Sequence, residues 1–333
     1  MNRRKFIGGS ASLGLLAGSD PGWLCAARAQ QQNLPVIGFL DGVWGHLNGK
    51  VGSGLRENGF VNGRDFNIEF SGWSGKKSQF QADQMAKYAA ELVKRRVALI
   101  LAFSTKAAVA AKTVTNTTPI VFLADDPVAT GLVDSLNRPG GNLTGASSPV
   151  SGLIAKRIEI VRALVPATNF LVLVTDPTNT PVHDIEIREA EAAAKALGLQ
   201  LSIIAWTGEH DFEPELAALP RDRKAALVFG GGLPFFVGQA YLDYLAARDG
   251  IPAIHGFREA AEEGGLASFG TRFADGGHLM GVYAARVLKG DKPADLPVRQ
   301  ITKTELVINL WTAKSRGIQI PPTLLARADE VIE

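Results

Sequence analysis

The sequence predicts an α/β protein built from two doubly wound parallel sheets. From residue 35 almost to the end of the chain, short apolar segments alternate with amphipathic ones. This alternation is typical of parallel strands covered by helices on both faces. About eleven predicted strands are more than one open sheet usually holds, so we expect two lobes.

The first half of the chain gives a clear series of elements. The first strand is predicted at Val36–Leu40, and Leu47, Val51 and Leu55 then recur at helical spacing. Gly59, followed by an apolar residue, fits the glycine that ends such a helix. Further strands are predicted at 66–70, 97–103, 120–123 and 142–144, and further helices at 78–94 and from 105.

A second series begins near residue 150. Strands are predicted at 170–174, 199–205, 226–229, 252–254, 266–269 and 305–310, and helices at 152–164, 183–197, 212–218, 235–248 and 275–289. The Gly- and Ser-containing stretch 145–150 separates the two series. We expect the chain to cross from one lobe to the other there.

Residues 1–29 have the pattern of a secretory signal peptide. Arg3 and Arg4 precede an uncharged apolar stretch, and the Ala27–Ala29 segment suits cleavage after Ala29. The paired arginines favour the twin-arginine export route, with an ordinary Sec signal as the alternative. The apolar stretch is shorter than the roughly 20 residues that a membrane-spanning helix needs. We therefore predict an exported, periplasmic protein.

Composition excludes several classes of function. Cys25 is the only cysteine and lies inside the signal, after a poor lipoprotein motif, so the mature chain has no disulfide and no thiol chemistry. The signal carries four basic residues and one acidic residue, which turns the formal charge of +2 into about −1 for the rest. No basic stripe for nucleic acid is visible.

Ligands of open parallel sheets bind beyond the carboxyl ends of the strands. Ser104 and Thr105 follow a predicted strand where a helix starts, which favours an anion or a simple N-cap. Asp126 could hold an ammonium together with Asp125, or could only cap a turn. Asp176 and Asn179 follow a strand of the second series and are equally open.

Aromatic and histidine residues complete the set of candidates. Trp44, Trp206 and the Phe235–Phe236 pair could stack on a ligand ring or pack in the core. His255 is the one histidine directly after a predicted strand. No phosphate-binding loop, zinc-protease helix or nucleophile elbow is present in the sequence, so we predict neither an enzyme nor a metal or cofactor site.

Short segments spread over nearly the whole chain carry a resemblance to a known family. They are 35–40, 119–122, 126–128, 135–145, 155–157, 258–259, 264–266, 289–290, Lys303, 305–310, 320–322 and 325–330. In these segments the chain resembles the substrate-binding proteins of bacterial ABC transporters with type I periplasmic-binding folds, which include tryptophan- and tyrosine-binding members.

The resemblance implies a two-lobed, monomeric binding protein that closes on a small solute. Lobe I would hold 35–146 and about 272–300, lobe II would hold 147–270, and residues 301–333 would pack near the hinge. The closed form would deliver its solute, an amino acid or an aromatic or other organic acid, to a membrane permease and its ATPase subunits.

The resemblance also implies roles for individual residues. Ser104 and Thr105 would bind a ligand carboxylate, and Asp126 would bind its ammonium. The remaining contacts would come from Asp176, Asn179, Trp44, Phe235, His255 and Phe257. The chain departs from the family pattern at Lys106, at Asp125 and in the loop 41–43, where extra charge points to a more polar or acidic ligand.

Two other interpretations share these features. A ligand-sensing domain that reports to a membrane receptor would have the same fold and the same signal. An exported α/β hydrolase would share the signal, but the missing catalytic motifs disfavour it.

Overall fold

The computed structural model describes residues 34–40, 44–71, 84–180, 182–208, 211–220 and 222–333. The predicted signal and residues 78–83 of one predicted helix lie outside them, as do the side chains of residues 44–48. None of the helices in these ranges is both long and apolar enough to cross a membrane.

Thirteen strands lie in the described ranges and form two sheets. They are β1 (Val36–Leu40), β2 (Asn67–Ser71), β3 (Leu99–Ala102), β4 (Ile120–Ala124), β5 (Leu143–Ser147), β6 (Phe170–Thr175), β7 (Gln200–Ala205), β8 (Ala225–Phe229), β9 (Ala253–His255), β10 (Ala267–Thr271), β11 (Arg299–Gln300), β12 (Thr304–Asn309) and β13 (Glu330–Ile332). The first sheet has the order β11-β5-β4-β3-β1-β2, and the second β13-β12-β10-β9-β8-β6-β7.

Helices cover both sheets. They are α1 (Trp44–Glu57), α2 (Met85–Lys94), α3 (Thr105–Val114), α4 (Ile154–Leu164), α5 (Val182–Ala196), α6 (Glu213–Ala217), α7 (Leu233–Arg248), α8 (Arg258–Glu262), α9 (Phe273–Leu288), α10 (Leu310–Ser315) and α11 (Pro322–Leu325). The first lobe consists of the first sheet with α1, α2, α3 and α9, and the second lobe of the second sheet with the other helices.

The predicted fold class is confirmed. Every strand pair of the first sheet is parallel. In the second sheet β12 runs antiparallel to β10, and β13 is parallel to β12. All residues of β3, β4 and β6 are buried, as expected for strands covered on both faces.

Three segments carry the chain between the lobes. Residues 148–150 connect β5 to the second lobe, Arg272 connects β10 to α9, and residues 301–303 connect β11 to β12. Two of these crossings touch, since the hydroxyls of Ser148 and Thr271 lie 2.5 Å apart. The segment expected near the hinge, 301–333, supplies two strands of the second sheet.

Two glycines let α9 pack closely on α1. A Cβ on Gly281 would lie 2.1 Å from the Val51 carbonyl oxygen, and one on Gly54 would lie 2.3 Å from that of His278. Only residues without a side chain allow the two backbones to approach so closely. The contact fixes α9 on the first lobe, although α9 follows a strand of the second lobe.

Candidate functional site

A cleft opens where the carboxyl ends of strands from both sheets face each other. The space between its walls is about 580 Å³, open solvent at its mouth included. Its polar wall is formed by Ser104, Thr105, Lys106, Asp125, Asp176 and Asn179. Its aromatic wall is formed by Phe103, Phe236, Phe257 and Phe273. Such a cleft suits a small solute with a charged end and an apolar body.

The start of α3 gives one end of the cleft a positive potential. Ser104 caps the helix, because its hydroxyl oxygen accepts a hydrogen bond from the Ala107 amide at 3.1 Å. The Thr105 hydroxyl accepts from the Asp125 amide at 3.1 Å and so ties α3 to the loop after β4. The first turn of α3 has no acidic residue and contains Lys106. The positive end of the helix dipole and a lysine therefore coincide.

Lys106 and Asp176 form an ion pair between the lobes, which we call the cleft pair. Lys106 Nζ lies 2.6 Å from Asp176 Oδ2, and the side chains are 15% and 1% exposed. Among the described residues, neither atom has a hydrogen-bond partner in addition to this contact. The other oxygen of Asp176 accepts from the amide and the hydroxyl of Thr178, at 3.0 and 2.7 Å. The aspartate is thus held by its own loop, while the lysine reaches it from the opposite lobe.

Asp125 is the second carboxylate of the cleft. Its Oδ2 accepts from the Ser151 amide at 2.8 Å, just beyond the first crossing between the lobes. Its Oδ1 is buried and has no hydrogen-bond partner among the residues that the structure describes. Burial raises the pKa of Asp125 to about 6, against the lowering effect of the Ser151 bond.

The aromatic wall is continuous across the lobes. The Phe236 ring lies 5.4 Å from the Phe257 ring in an edge-on arrangement, and 4.6 Å from the Phe273 ring. Phe257 and Phe273 pack edge-on at 5.6 Å. Since Phe273 begins α9 on the first lobe, these rings form a contact between the lobes. Ring contacts of this kind stabilise the packing of the lobes beyond the area that they bury.

Behind the cleft lies a fully buried arginine. Arg157 donates to three backbone carbonyls, those of Val150, Phe229 and Phe269, at 3.0, 3.2 and 2.9 Å. Burial lowers its pKa to about 10, opposed by the nearby carboxylates of Glu186, Asp125 and Glu189. Arg157 therefore ties the first crossing to β8 and β10.

Glu186 is the carboxylate that accompanies this arginine. It accepts from the Gly231 amide at 2.5 Å and from the Thr175 hydroxyl. Burial raises its pKa to about 7. By holding Gly231 it positions the loop whose next residue, Gly232, lines the cleft.

Five of the residues predicted from sequence lie together in the cleft. These are Ser104, Thr105, Asp176, Asn179 and Phe257. Trp44 begins α1, and its side chain lies outside the described residues. No metal-binding group of three His, Cys, Asp or Glu side chains occurs within the ranges that the structure describes.

Three other predicted residues lie away from the cleft lining. Asp126 has a φ of 28°, and its Oδ1 accepts from the Ala129 amide at 2.9 Å. Phe235 is fully buried, with its ring 5.9 Å from Trp206. His255 is also fully buried, 3.0 Å from Asp243 and stacked on a core phenylalanine. Their expected contact with a ligand stays a prediction that the geometry does not support.

Three residues of the cleft adjoin residues predicted as ligand contacts, and two of the three, Asp125 and Phe236, were already alternatives in the sequence. Lys106 follows Thr105, Asp125 precedes Asp126, and Phe236 follows Phe235. The departures from the family pattern at Lys106 and Asp125 were the signal that could have identified two of them. Phe273 had no such signal, because only the return of the chain to the first lobe brings it to the cleft.

The chain is similar to a protein-family model, to a protein of known name and to several solved structures. Residues 45–332 match the model of a family described as ABC transporter substrate binding protein. A tyrosine-binding protein of Clostridioides difficile is 27% identical over 274 residues, 80% of this chain and 74% of that protein.

Two solved structures share the fold over nearly their whole length. The ABC domain in complex with L-Trp from Streptococcus pneumoniae has a TM-score of 0.78 at 24% identity, covering 90% of this chain and 99% of its own. A conserved domain protein from Vibrio cholerae has a TM-score of 0.77 at 23% identity, covering 90% and 100%. The family model spans most of the sequence. The protein therefore belongs to the family of ABC transporter substrate-binding proteins, which bind solutes and are not enzymes.

Proposed function

We propose that this protein is the exported solute receptor of an ABC importer. It captures a small organic solute, an amino acid or an aromatic or other organic acid, and delivers it to a membrane permease and its ATPase subunits. The main support for this proposal is the cleft between the lobes. The cleft pair lies at one end of it, and four phenylalanines line its wall. The names of the similar proteins, a tyrosine-binding protein and a complex with L-Trp, support the same size and kind of ligand.

The lobe arrangement suggests how capture works. Lys106 and Phe273 belong to the first lobe, and Asp176, Phe236 and Phe257 belong to the second. A solute that contacts both sets binds the closed form better than the open form and shifts the equilibrium between them. The closed form is then the one that a permease distinguishes from the empty receptor.

The site assignment follows the cleft. Within the proposal, Ser104, Thr105, Asp176, Asn179 and Phe257 keep the ligand contacts expected from the sequence, and Lys106, Asp125 and Phe236 join them. The signal at residues 1–29 supports export to the periplasm. The proposed receptor acts as a monomer, because one chain supplies both walls of the cleft.

A thermal-shift screen tests the function. The purified protein is heated with amino acids, aromatic acids, other organic acids and sugars, each in large excess. A ligand at about 100 times its Kd stabilises the native state by about 2.7 kcal/mol, so its unfolding midpoint rises clearly. We expect at least one solute to do so and to be recovered unchanged after prolonged incubation. Absence of any shift, or conversion of the solute, would contradict a receptor function.

A further inference from the structure

The cleft pair sets the charge that a ligand meets. Asp176 is the most deeply buried carboxylate of the cleft, and its Oδ2 would be the natural partner of a ligand ammonium. That oxygen already lies 2.6 Å from Lys106 Nζ. The other oxygen, Oδ1, already accepts hydrogen bonds from the amide and the hydroxyl of Thr178. The negative charge of Asp176 is therefore compensated from within the protein.

Lys106, in contrast, has donors to spare. An ammonium carries three N–H donors, and Nζ is buried without any hydrogen bond in the described part of the chain. It also lies in the first turn of the ten-residue helix α3, where the helix dipole favours negative charge. A buried cation with unused donors at a positive helix end is a site for a carboxylate.

We propose that Lys106 takes the place of a ligand ammonium at Asp176, so that the cleft prefers carboxylic acids with an aromatic or bulky apolar body over the corresponding amino acids. The inference rests on the proposed function and narrows its ligand class. The ligand carboxylate binds Lys106 and the start of α3, and the body lies among Phe236, Phe257 and Phe273. The Lys106–Asp176 contact remains in place.

The α-ammonium of an amino acid would be unfavourable in this position. It is joined to the same carbon as the carboxylate, so a carboxylate on Lys106 brings the two ammonium groups close together, and like charges repel. Asp176 could relieve this only by giving up Lys106. Removing one partner from a buried ion pair leaves an uncompensated charge, which is costly.

Isothermal titration calorimetry on matched pairs tests the inference. The pairs are 3-phenylpropanoate with L-phenylalanine, 3-(4-hydroxyphenyl)propanoate with L-tyrosine, indole-3-propanoate with L-tryptophan, and 4-methylpentanoate with L-leucine. In the best-bound pair we expect the acid to bind at least about tenfold more tightly than the amino acid, a difference of about 1.4 kcal/mol. An amino acid that binds more tightly than its acid overturns the inference, while the proposed function stands.

Variants of the cleft pair make the test specific. Lys106→Met removes the carboxylate partner and exposes Asp176, so the ratio of the two affinities should reverse in favour of the amino acid. Lys156→Met, on an exposed lysine of α4, is the matched control and should leave the ratio unchanged. An unchanged ratio in Lys106→Met also overturns the inference.

A second variant keeps the test valid if Lys106→Met fails to fold. The double variant Lys106→Met, Asp176→Asn removes both charges, leaves no buried charge unpaired, and should bring the ratio close to one. If no pair binds to the wild type, the inference is wrong. The proposed function fails as well only if the wider solute screen gives no ligand.

Discussion

Two buried cations in this molecule, Arg157 and Lys106, differ in how their donors are used. Arg157 donates from all three guanidinium nitrogens to backbone carbonyls of three different segments. Lys106 faces one carboxylate and makes no hydrogen bond among the residues described. A cation that only holds the fold together is saturated by the backbone, whereas a cation at a ligand site keeps donors for the ligand.

Substitution of Arg157 should have the largest effect on the free energy of unfolding. Arg157→Met leaves the carbonyls of three interior segments without this donor and removes the cation near Glu186 and Asp125. We expect the free energy of unfolding to fall by about 3–5 kcal/mol, as when one partner of a buried ionic group is removed. Denaturant unfolding measures this change. Arg95→Met, on an exposed arginine paired with Glu69, is the control and should change little. Equal stability of the two variants would show that Arg157 does not have this structural role.

The pH dependence of stability should show the raised pKa of Glu186. Its pKa is raised in the folded protein from 4.5 to about 7, so the folded state holds the proton more tightly than the unfolded chain. Glu186 therefore lowers the stability as the pH rises from about 4.5 to about 7. Glu186→Gln should become more stable relative to the wild type across this window, by about 2 kcal/mol.

The measurement is denaturant unfolding at pH 5 and pH 7.5 for both proteins. Glu191→Gln, on the exposed side of the same helix, serves as the control and should follow the wild type. A Glu186→Gln variant that also follows the wild type would mean that the carboxylate ionises normally inside the fold.

Substitution of the two adjacent aspartates should have a smaller effect, and the effect should be on ligand affinity. Asp125 lines the cleft and Asp126 does not, so Asp125→Asn removes a negative charge near a bound carboxylate while Asp126→Asn leaves the cleft unchanged. We expect Asp125→Asn to bind a carboxylic acid up to about tenfold more tightly at pH 7.5, and Asp126→Asn to match the wild type.

The same pair has a pH signature. Because the pKa of Asp125 is about 6, wild-type affinity for the acid should rise as the pH falls from 7.5 to 5.5, and this rise should vanish in Asp125→Asn. Calorimetric titration at the two pH values measures it. A loss of affinity for the corresponding amino acid in Asp126→Asn would instead restore the ammonium-binding role that the sequence predicted for Asp126.

Local patterns in the sequence were enough to predict most of the fold. The buried strand Val36–Leu40 has the predicted bounds. Gly59 has a φ of 91°, and the Phe60 amide bonds to the Leu55 carbonyl, as the predicted helix end requires. These features depend on residues close together in the chain. The pairings of β11, β12 and β13 join distant segments, and no local pattern predicts them.

The site was predictable only in part, for a similar reason. Ser104 and Asp176 follow strand ends and were found by position. Lys106 and Asp176 lie 70 residues apart in the chain and in different lobes. No local sequence pattern therefore predicts that they form an ion pair. Phe235 and Phe236 are neighbours on α7, whose apolar residues surround the helix, and periodicity cannot tell which of them faces the cleft.

The ligand-binding role of Lys106 can be examined in a crystal structure of the protein with the most tightly bound solute of the screen. We predict that the solute lies in the cleft, that its carboxylate is within hydrogen-bonding distance of Lys106 Nζ, and that the contact between Lys106 and Asp176 persists. A solute bound outside the cleft, or an ammonium of the solute on Asp176 with Lys106 displaced, would contradict the account.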